Sequence, residues 1–167
     1  MSRRPLYTPE QRRRRDATKW TLVQGILAPV QFVAFAISLV LVLRTLATGA
    51  GADAAAMSVV VKTSLLYTIM VTGAVWEKRV FDCYLFAPAF FWEDVVSMGV
   101  IALHTLYLVA LFSGWLTTTQ QLLIALAAYA AYVVNAAQFL LKLRAARLDE
   151  AARGPLDGPP LGQGAAS

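Results

Sequence analysis

Four long apolar runs, separated by short breaks that carry glycine or charge, dominate the chain. The first run, Trp20 to Leu43, contains no charge at all. At a helical rise of ~1.5 Å per residue it is long enough to cross a hydrocarbon layer of ~30 Å. Reading the remaining runs in the same way predicts spans at about 20–46, 57–75, 88–113 and 118–141. The expected fold class is an all-α polytopic membrane protein with four transmembrane helices in one bundle. Gln24, Gln31 and Ser38 recur at a spacing of seven, which puts them on one face of the first span and turns that face toward the bundle. Pro29 would release the carbonyl of Gly25 and bend the helix, a break that neighbouring helices can satisfy. In the second span Lys62 lies near enough to the boundary to snorkel. On the third, Glu93, Ser97 and His104 fall within about 40° of one another at 100° per residue. The fourth is alanine-rich, with Ala127 and Ala131 at the spacing that favours close helix approach and Tyr129, Tyr132, Asn135 and Gln138 on a polar side.

The flanks define the rest of the organisation. Residues 1–19 form a basic segment in which Thr8, Pro9 and Gln11 stand as N-cap, first helical residue and capping partner, so a short helix against lipid headgroups is expected. Ser2, Arg3 and Arg4 faintly resemble an export signal, and Ala50, Gly51 and Ala52 a cleavage site. The apolar run between them is too long for a signal-peptide core of about 7–15 residues and reads as an anchor. Residues 20–148 make the transmembrane domain. Residues 149–167 lack periodicity and are expected to form a disordered cytoplasmic tail. Arg and Lys crowd the N-terminal segment, the loop with Lys78 and Arg79, and the C-terminal Lys142, Arg144, Arg147 and Arg153. The two opposite loops carry none once Arg44 is placed at its helix end. The positive-inside rule then puts both termini in the cytoplasm of a multi-pass inner-membrane protein.

Composition sharpens this picture. Hydrophobic residues make up 58% and charged residues only 15% of the chain, and the mean hydropathy is +0.58, far from a soluble domain. The net charge of +5 sits in tails and one loop rather than along a face, so it reports topology and gives no reason to expect nucleic acid. The single Cys83 rules out an internal disulfide or a paired-cysteine redox motif. A single histidine rules out a haem held by two imidazoles of one chain.

Candidate chemistry gathers in the stretch LFAPAFFWEDVVSM, Leu85 to Met98, and in His104 beyond it. Glu93 and Asp94 suit the first turns of a helix, where the macrodipole favours acids, and they also suit acid–base work. Being adjacent, they point in different directions and cannot form a side-by-side pair without help from another helix. Glu77 beside Lys78 and Arg79 is either a boundary ion pair or a third acid. Phe90, Phe91 and Trp92 are interface anchors or a wall for a flat aromatic ligand. An ionisable group as deep as His104 is a functional candidate by position, although a neutral imidazole bonded to Tyr or Asn on another helix would also be stable there.

The blocks LYTPEQRRRRDATKWTLVQGILAPVQF, VKTSLLYTIMVTGAVWEK, LFAPAFFWEDVVSM, IALHTLYL and YVVNAAQFLLKLRAARL resemble the 3-vinyl bacteriochlorophyllide hydratases of anoxygenic phototrophic bacteria, called 2-vinyl in older nomenclature. The likeness spans about Leu6 to Leu148. It implies a hydro-lyase that adds water to the vinyl group of a chlorophyllide or bacteriochlorophyllide, giving a 1-hydroxyethyl group on the route to bacteriochlorophyll a. The bacterial intracytoplasmic membrane, the bilayer itself and other pigment-biosynthesis enzymes are its expected surroundings. No cofactor is expected, the magnesium being part of the substrate. The resemblance supplies no established catalytic residues. On our reading Glu93 is the first candidate for the acid, with Asp94 or Glu77 handling the water. His104 is the candidate ligand for the pigment magnesium. Phe90, Phe91, Trp92, Ser97, Asn135 and Gln138 are expected to line the site. A non-enzymatic pigment carrier or a structural subunit of a photosynthetic complex is the alternative. The acids weigh against it, because buried carboxyls cost free energy that a carrier has no use for.

Overall fold

A computed structural model describes residues 6–153. Five helices follow in order, α1 (Pro9–Ala17), α2 (Lys19–Thr48), α3 (Ala52–Phe81), α4 (Phe91–Ser113) and α5 (Thr118–Arg153). The last four are long and apolar enough to cross a membrane. Thr8 and Gln11 close the expected capping box at the start of α1, the Thr8 amide donating to Gln11 Oε1 at 2.9 Å and the Gln11 amide to Thr8 Oγ1 at 3.2 Å. Thr117 and Gln120 form a similar reciprocal pair ahead of α5. Between α2 and α3 the turn needs two left-handed residues, and Gly49 at φ 72° and Gly51 at φ 85° supply them without a Cβ clash.

The helices pack as two antiparallel hairpins, α2 with α3 and α4 with α5, with α5 also meeting α2 and α1 lying along α3. Phe35 and Val42 of α2, Val59 and Leu66 of α3, Val100 and Tyr107 of α4, and Leu122, Ala125, Ala128 and Tyr129 of α5 share one core. In lipid no hydrophobic transfer separates inside from outside, so this core is held by close packing and by hydrogen bonds between helices. The outer faces accordingly carry exposed Leu22, Ile26, Phe32, Val61, Leu106 and Phe112. On α5 Ala125 and Ala128 are fully buried; of the expected Ala127 and Ala131, Ala131 packs against the core and Ala127 is exposed. An alanine-rich helix offers small-residue pairs on every side, and Leu122, Tyr129 and Tyr132 decide which side faces inward.

Helix ends differ from the expected spans in ways that matter. α3 continues to Phe81, so Glu77, Lys78 and Arg79 sit on its last turns and not in a loop. α4 starts at Phe91, after Ala87–Phe90 has turned, and not at Pro88. α5 runs past both 141 and 148, so Asp149 to Arg153 are helical, and the expected tail from residue 154 onward lies outside the described residues, as do Arg3 and Arg4. One end of the bundle thus gathers α1, the last turns of α3, the 82–90 loop, the first turns of α4 and the last turns of α5.

Candidate active site

Aromatic packing builds the floor of this end. Tyr7, Val80, Phe90 and Ala146 are buried together with Trp76, Phe81 and Phe139 against them. Phe90 stacks on Phe139 at 5.8 Å between ring centroids and meets Trp76 and Phe81 edge-on. Burial pushes the Tyr7 phenol up to about 12, with the neighbouring Arg15 opposing the shift. Of the three aromatic residues expected to form one wall, only Phe90 points inward. Phe91 and Trp92 are exposed and continue outward with Phe86, the Phe86–Phe91 and Phe91–Trp92 centroids being 5.8 Å and 5.5 Å apart.

Three acids from two helices reach this end of the bundle. Glu77 on α3, Glu93 and Asp94 on α4 are all buried. The carboxyl that another helix brings to the same loop as Asp94 is that of Glu77. Each of these two acids accepts a loop amide, Ala87 N–H to Glu77 Oε2 at 3.2 Å and Phe86 N–H to Asp94 Oδ2 at 2.8 Å. Phe86 sits at φ 61°, a left-handed conformation that a bulky residue enters only at a cost of order 1–3 kcal/mol. The Asp94 carboxyl is the contact that holds it there.

Glu93 turns the other way. Its Oε2 pairs with Lys142 Nζ of α5, which also donates to the Ala89 carbonyl. Lys142 Nζ lies 5.2 Å from the Phe90 centroid. One turn deeper on the same seam, Asn135 Nδ2 donates to Ser97 Oγ at 2.8 Å. Asn135 Oδ1 and Gln138 Oε1 are buried and have no hydrogen-bond partner among the described residues.

His104 lies further in and is fully buried. Its Nδ1 donates to the Val100 carbonyl at 2.8 Å, leaving Nε2 to accept from Lys62 Nζ at 2.9 Å. The structure therefore gives the expected magnesium ligand no free ring nitrogen. Lys62 does not snorkel as expected. It is fully buried, with its Nζ 4.0 Å from the Tyr132 centroid and 5.3 Å from that of Tyr129. On α2, Ser38 is bonded to Tyr129 and Ser58, and Gln24 donates to Thr72 at 2.7 Å, as their shared inward face predicts.

A shallow basic cleft of about 540 Å³ also opens at this end, lined by Arg14, Val75, Lys78, Arg79, Asp82 and Tyr84. Its α3 residues follow a spacing of three and four that puts them across the helix from Glu77, so it is not continuous with the acids. Within it Arg14 holds the Asp82 carboxyl below the usual range, mainly through a hydrogen bond of 2.6 Å. On the loop, burial and then the charges of Glu77 and Asp94 push the Cys83 thiol up.

Sequence reading missed Lys142, the amides of Phe86 and Ala87, and the pairing of Lys62 with His104. Lys142 had a signal, since Asn135, Gln138 and Lys142 fall on one face of α5 at spacings of three and four. The others depend on tertiary contacts that leave no local pattern.

A family model described as 2-vinyl bacteriochlorophyllide hydratase matches residues 7–145. A 2-vinyl bacteriochlorophyllide hydratase of Rhodobacter capsulatus is 69% identical over 150 residues, which cover 90% of this chain and 87% of that protein. A protein with the same description from Cereibacter sphaeroides is 72% identical over 146 residues, covering 87% of this chain and 91% of its own length. No solved structure matches.

Proposed function

Because the chain belongs to the 2-vinyl bacteriochlorophyllide hydratase family, we propose that it is a hydro-lyase that adds water across the vinyl group of a bacteriochlorophyllide-type pigment. The product carries a 1-hydroxyethyl group and lies on the route to bacteriochlorophyll. Hydration adds the elements of one water across the double bond with no net transfer of electrons, so the balance of the reaction calls for no redox partner.

The observation that supports the site assignment is that the buried Glu77 and Asp94 carboxyls, from two helices, accept the amides of the consecutive loop residues Ala87 and Phe86. In this reading the pair holds one proton at the end of the bundle that also carries the apolar cluster of Phe90, Trp76 and Phe81. The proton moves to the terminal vinyl carbon, the π pair forming the new C–H bond and leaving a cation at the inner carbon. Conjugation with the macrocycle spreads that charge. A water lone pair then forms the C–O bond at the inner carbon, and the oxonium proton returns to the carboxylate, restoring the shared proton. Glu93 was the first choice from sequence, but its pairing with Lys142 favours the Glu77–Asp94 pair as the acid and gives Glu93 a positioning role.

The exposed rings of Phe86, Phe91 and Trp92, inclined to one another, offer an apolar aromatic surface near Asp94 that a macrocycle can meet from the lipid side. Opening the Phe86 and Ala87 amide contacts would admit the vinyl group to the acids. His104, with both nitrogens engaged, is assigned no magnesium contact. Arg12 to Arg15, Lys78, Arg79, Lys142, Arg144 and Arg147 cluster at the same end of the bundle, which supports a cytoplasmic site and cytoplasmic termini in the inner membrane. The test uses membranes from a host that makes no bacteriochlorophyll and holds this protein as its only pigment enzyme. Supplied with a vinyl pigment, they should yield the hydroxyethyl pigment, and failure to do so with inserted, folded protein rejects the reading.

A further inference from the structure

We infer that Asn135 and Gln138 hold the water that attacks the inner vinyl carbon, through their unpartnered side-chain carbonyls. The inference rests on the hydratase reading above and extends it to the second reactant.

A hydratase with its acids buried in an apolar end of a membrane bundle must bring a water molecule to one side of a short-lived cation. Buried polar atoms without partners are costly, and in folded proteins such atoms ordinarily bind water. Asn135 is 8% exposed, its Nδ2 is committed to Ser97 at 2.8 Å, and its Oδ1 has no partner among the described residues. Gln138 follows one turn later on the same face of α5, and its Oε1 is also buried and unpartnered. Asn135 meets α4 at Ser97, and Gln138 stands between that point and the Glu93–Lys142 contact along the same face of α5.

The position of Ser97 ties that point to the acids. Its direction on α4 falls between those of Glu93 and Asp94, and it lies about 4.5 Å beyond Asp94 along the axis at ~1.5 Å per residue. A water donating both hydrogens to Asn135 Oδ1 and Gln138 Oε1 keeps its lone pairs free to form the C–O bond. Two acceptors, rather than a general base, suit this reaction because the water attacks a cation and needs orientation more than activation. After attack the extra proton leaves for the Glu77–Asp94 pair, so the amides act as positioning residues and neither gains nor loses a proton.

Holding water on one side also sets which face of the cation is attacked, and hence which epimer of the alcohol forms. The experiment measures the epimer ratio of the hydroxyethyl product together with kcat and KM for the vinyl pigment. The proteins compared are the parent, Gln138→Met and Asn135→Ala. Asn135→Asp, which retains an acceptor oxygen, is the rescue variant. We expect one predominant epimer from the parent and a ratio moving toward equality in Gln138→Met and Asn135→Ala. kcat should fall up to about 10²-fold, the scale of a reactant misplaced by ~1 Å, with KM nearly unchanged. Asn135→Asp should keep the parent's ratio. Partial unfolding lowers the amount of product without changing its epimer ratio, so Gln138→Met and the ratio keep the test decisive if Asn135→Ala is unstable. An unchanged ratio in both amide-removing variants, or equal epimers from the parent, overturns the water site while leaving the acid pair standing. Full activity in Glu77→Gln and Asp94→Asn would reject the acid pair and leave the epimer result intact.

Discussion

Lys62 Nζ donates to His104 Nε2 at 2.9 Å, and neither side chain has any exposed surface. The pair joins α3 to α4, which otherwise touch far less than α4 and α5 do. With Nδ1 committed to Val100, the imidazole is a structural acceptor. His104→Ala should therefore leave the absorption spectrum of bound pigment unchanged, and a shifted spectrum would restore the magnesium role. Lys62→Met and His104→Phe should each lower stability by about 1–3 kcal/mol, because each strands one buried polar partner. The double variant should lose less than the sum, as thermal unfolding of the purified protein in detergent would show.

Glu93 and Lys142 test a second inter-helix contact. Breaking a fully buried ion pair costs about 3–5 kcal/mol, but Lys142 keeps 27% of its side-chain surface exposed, so a loss of about 1–3 kcal/mol is expected for Lys142→Met. Lys142 also holds the Ala89 carbonyl, so this variant should loosen the loop and raise KM for the pigment. Glu93→Gln keeps an acceptor and should retain most of the activity. A larger activity loss in Glu93→Gln than in Asp94→Asn would return the acid role to Glu93.

Periodicity made a good part of this arrangement legible. The 100° repeat put Gln31 and Ser38 on the inward face of α2 and Glu93, Ser97 and His104 on that of α4, and all five are buried. Depth was harder to read. A lysine one and a half turns inside a span can snorkel or turn inward, and only the imidazole and the rings of Tyr129 and Tyr132 on other helices decide it for Lys62. The Glu77–Asp94 pair was hidden because apolar character fades after Val75, whereas hydrogen bonding carries α3 on to Phe81. That extension is what brings Glu77 to α4.

Cys83 reports the side of the membrane on which the site lies. If the basic end is cytoplasmic, an impermeant thiol reagent should label Cys83 in inside-out vesicles and leave it unlabelled in intact cells. Burial and the nearby acids raise the thiol above its usual 9.0, so less of it is thiolate at neutral pH. Labelling should then be slow near pH 7 and accelerate past pH 9. Rapid labelling in intact cells would invert the topology.

Glu77 and Asp94 hold the amides of consecutive loop residues, and kinetics can reveal whether the two acids work as one unit around a single proton. Glu77→Gln keeps the shape and the bond to the Ala87 amide but removes one ionisable member. Asp94→Asn does the same beside Phe86, where a carboxamide oxygen can still accept the amide. Each substitution leaves a neighbour that must now both give the proton and take it back without a partner to hold the charge. Loss of a positioned proton donor typically costs 10²–10⁴-fold, so kcat should fall by about that much in each single variant. Groups that act together are strongly non-additive, and the double variant should be little worse than the poorer single one. Pigment binding, read from the absorption of membrane-bound pigment, should persist in all three, because the exposed aromatic surface is untouched. Multiplicative losses in the double variant would mean that the two carboxyls serve separate steps. Parent-like kcat in both single variants would remove the acid from this end of the bundle.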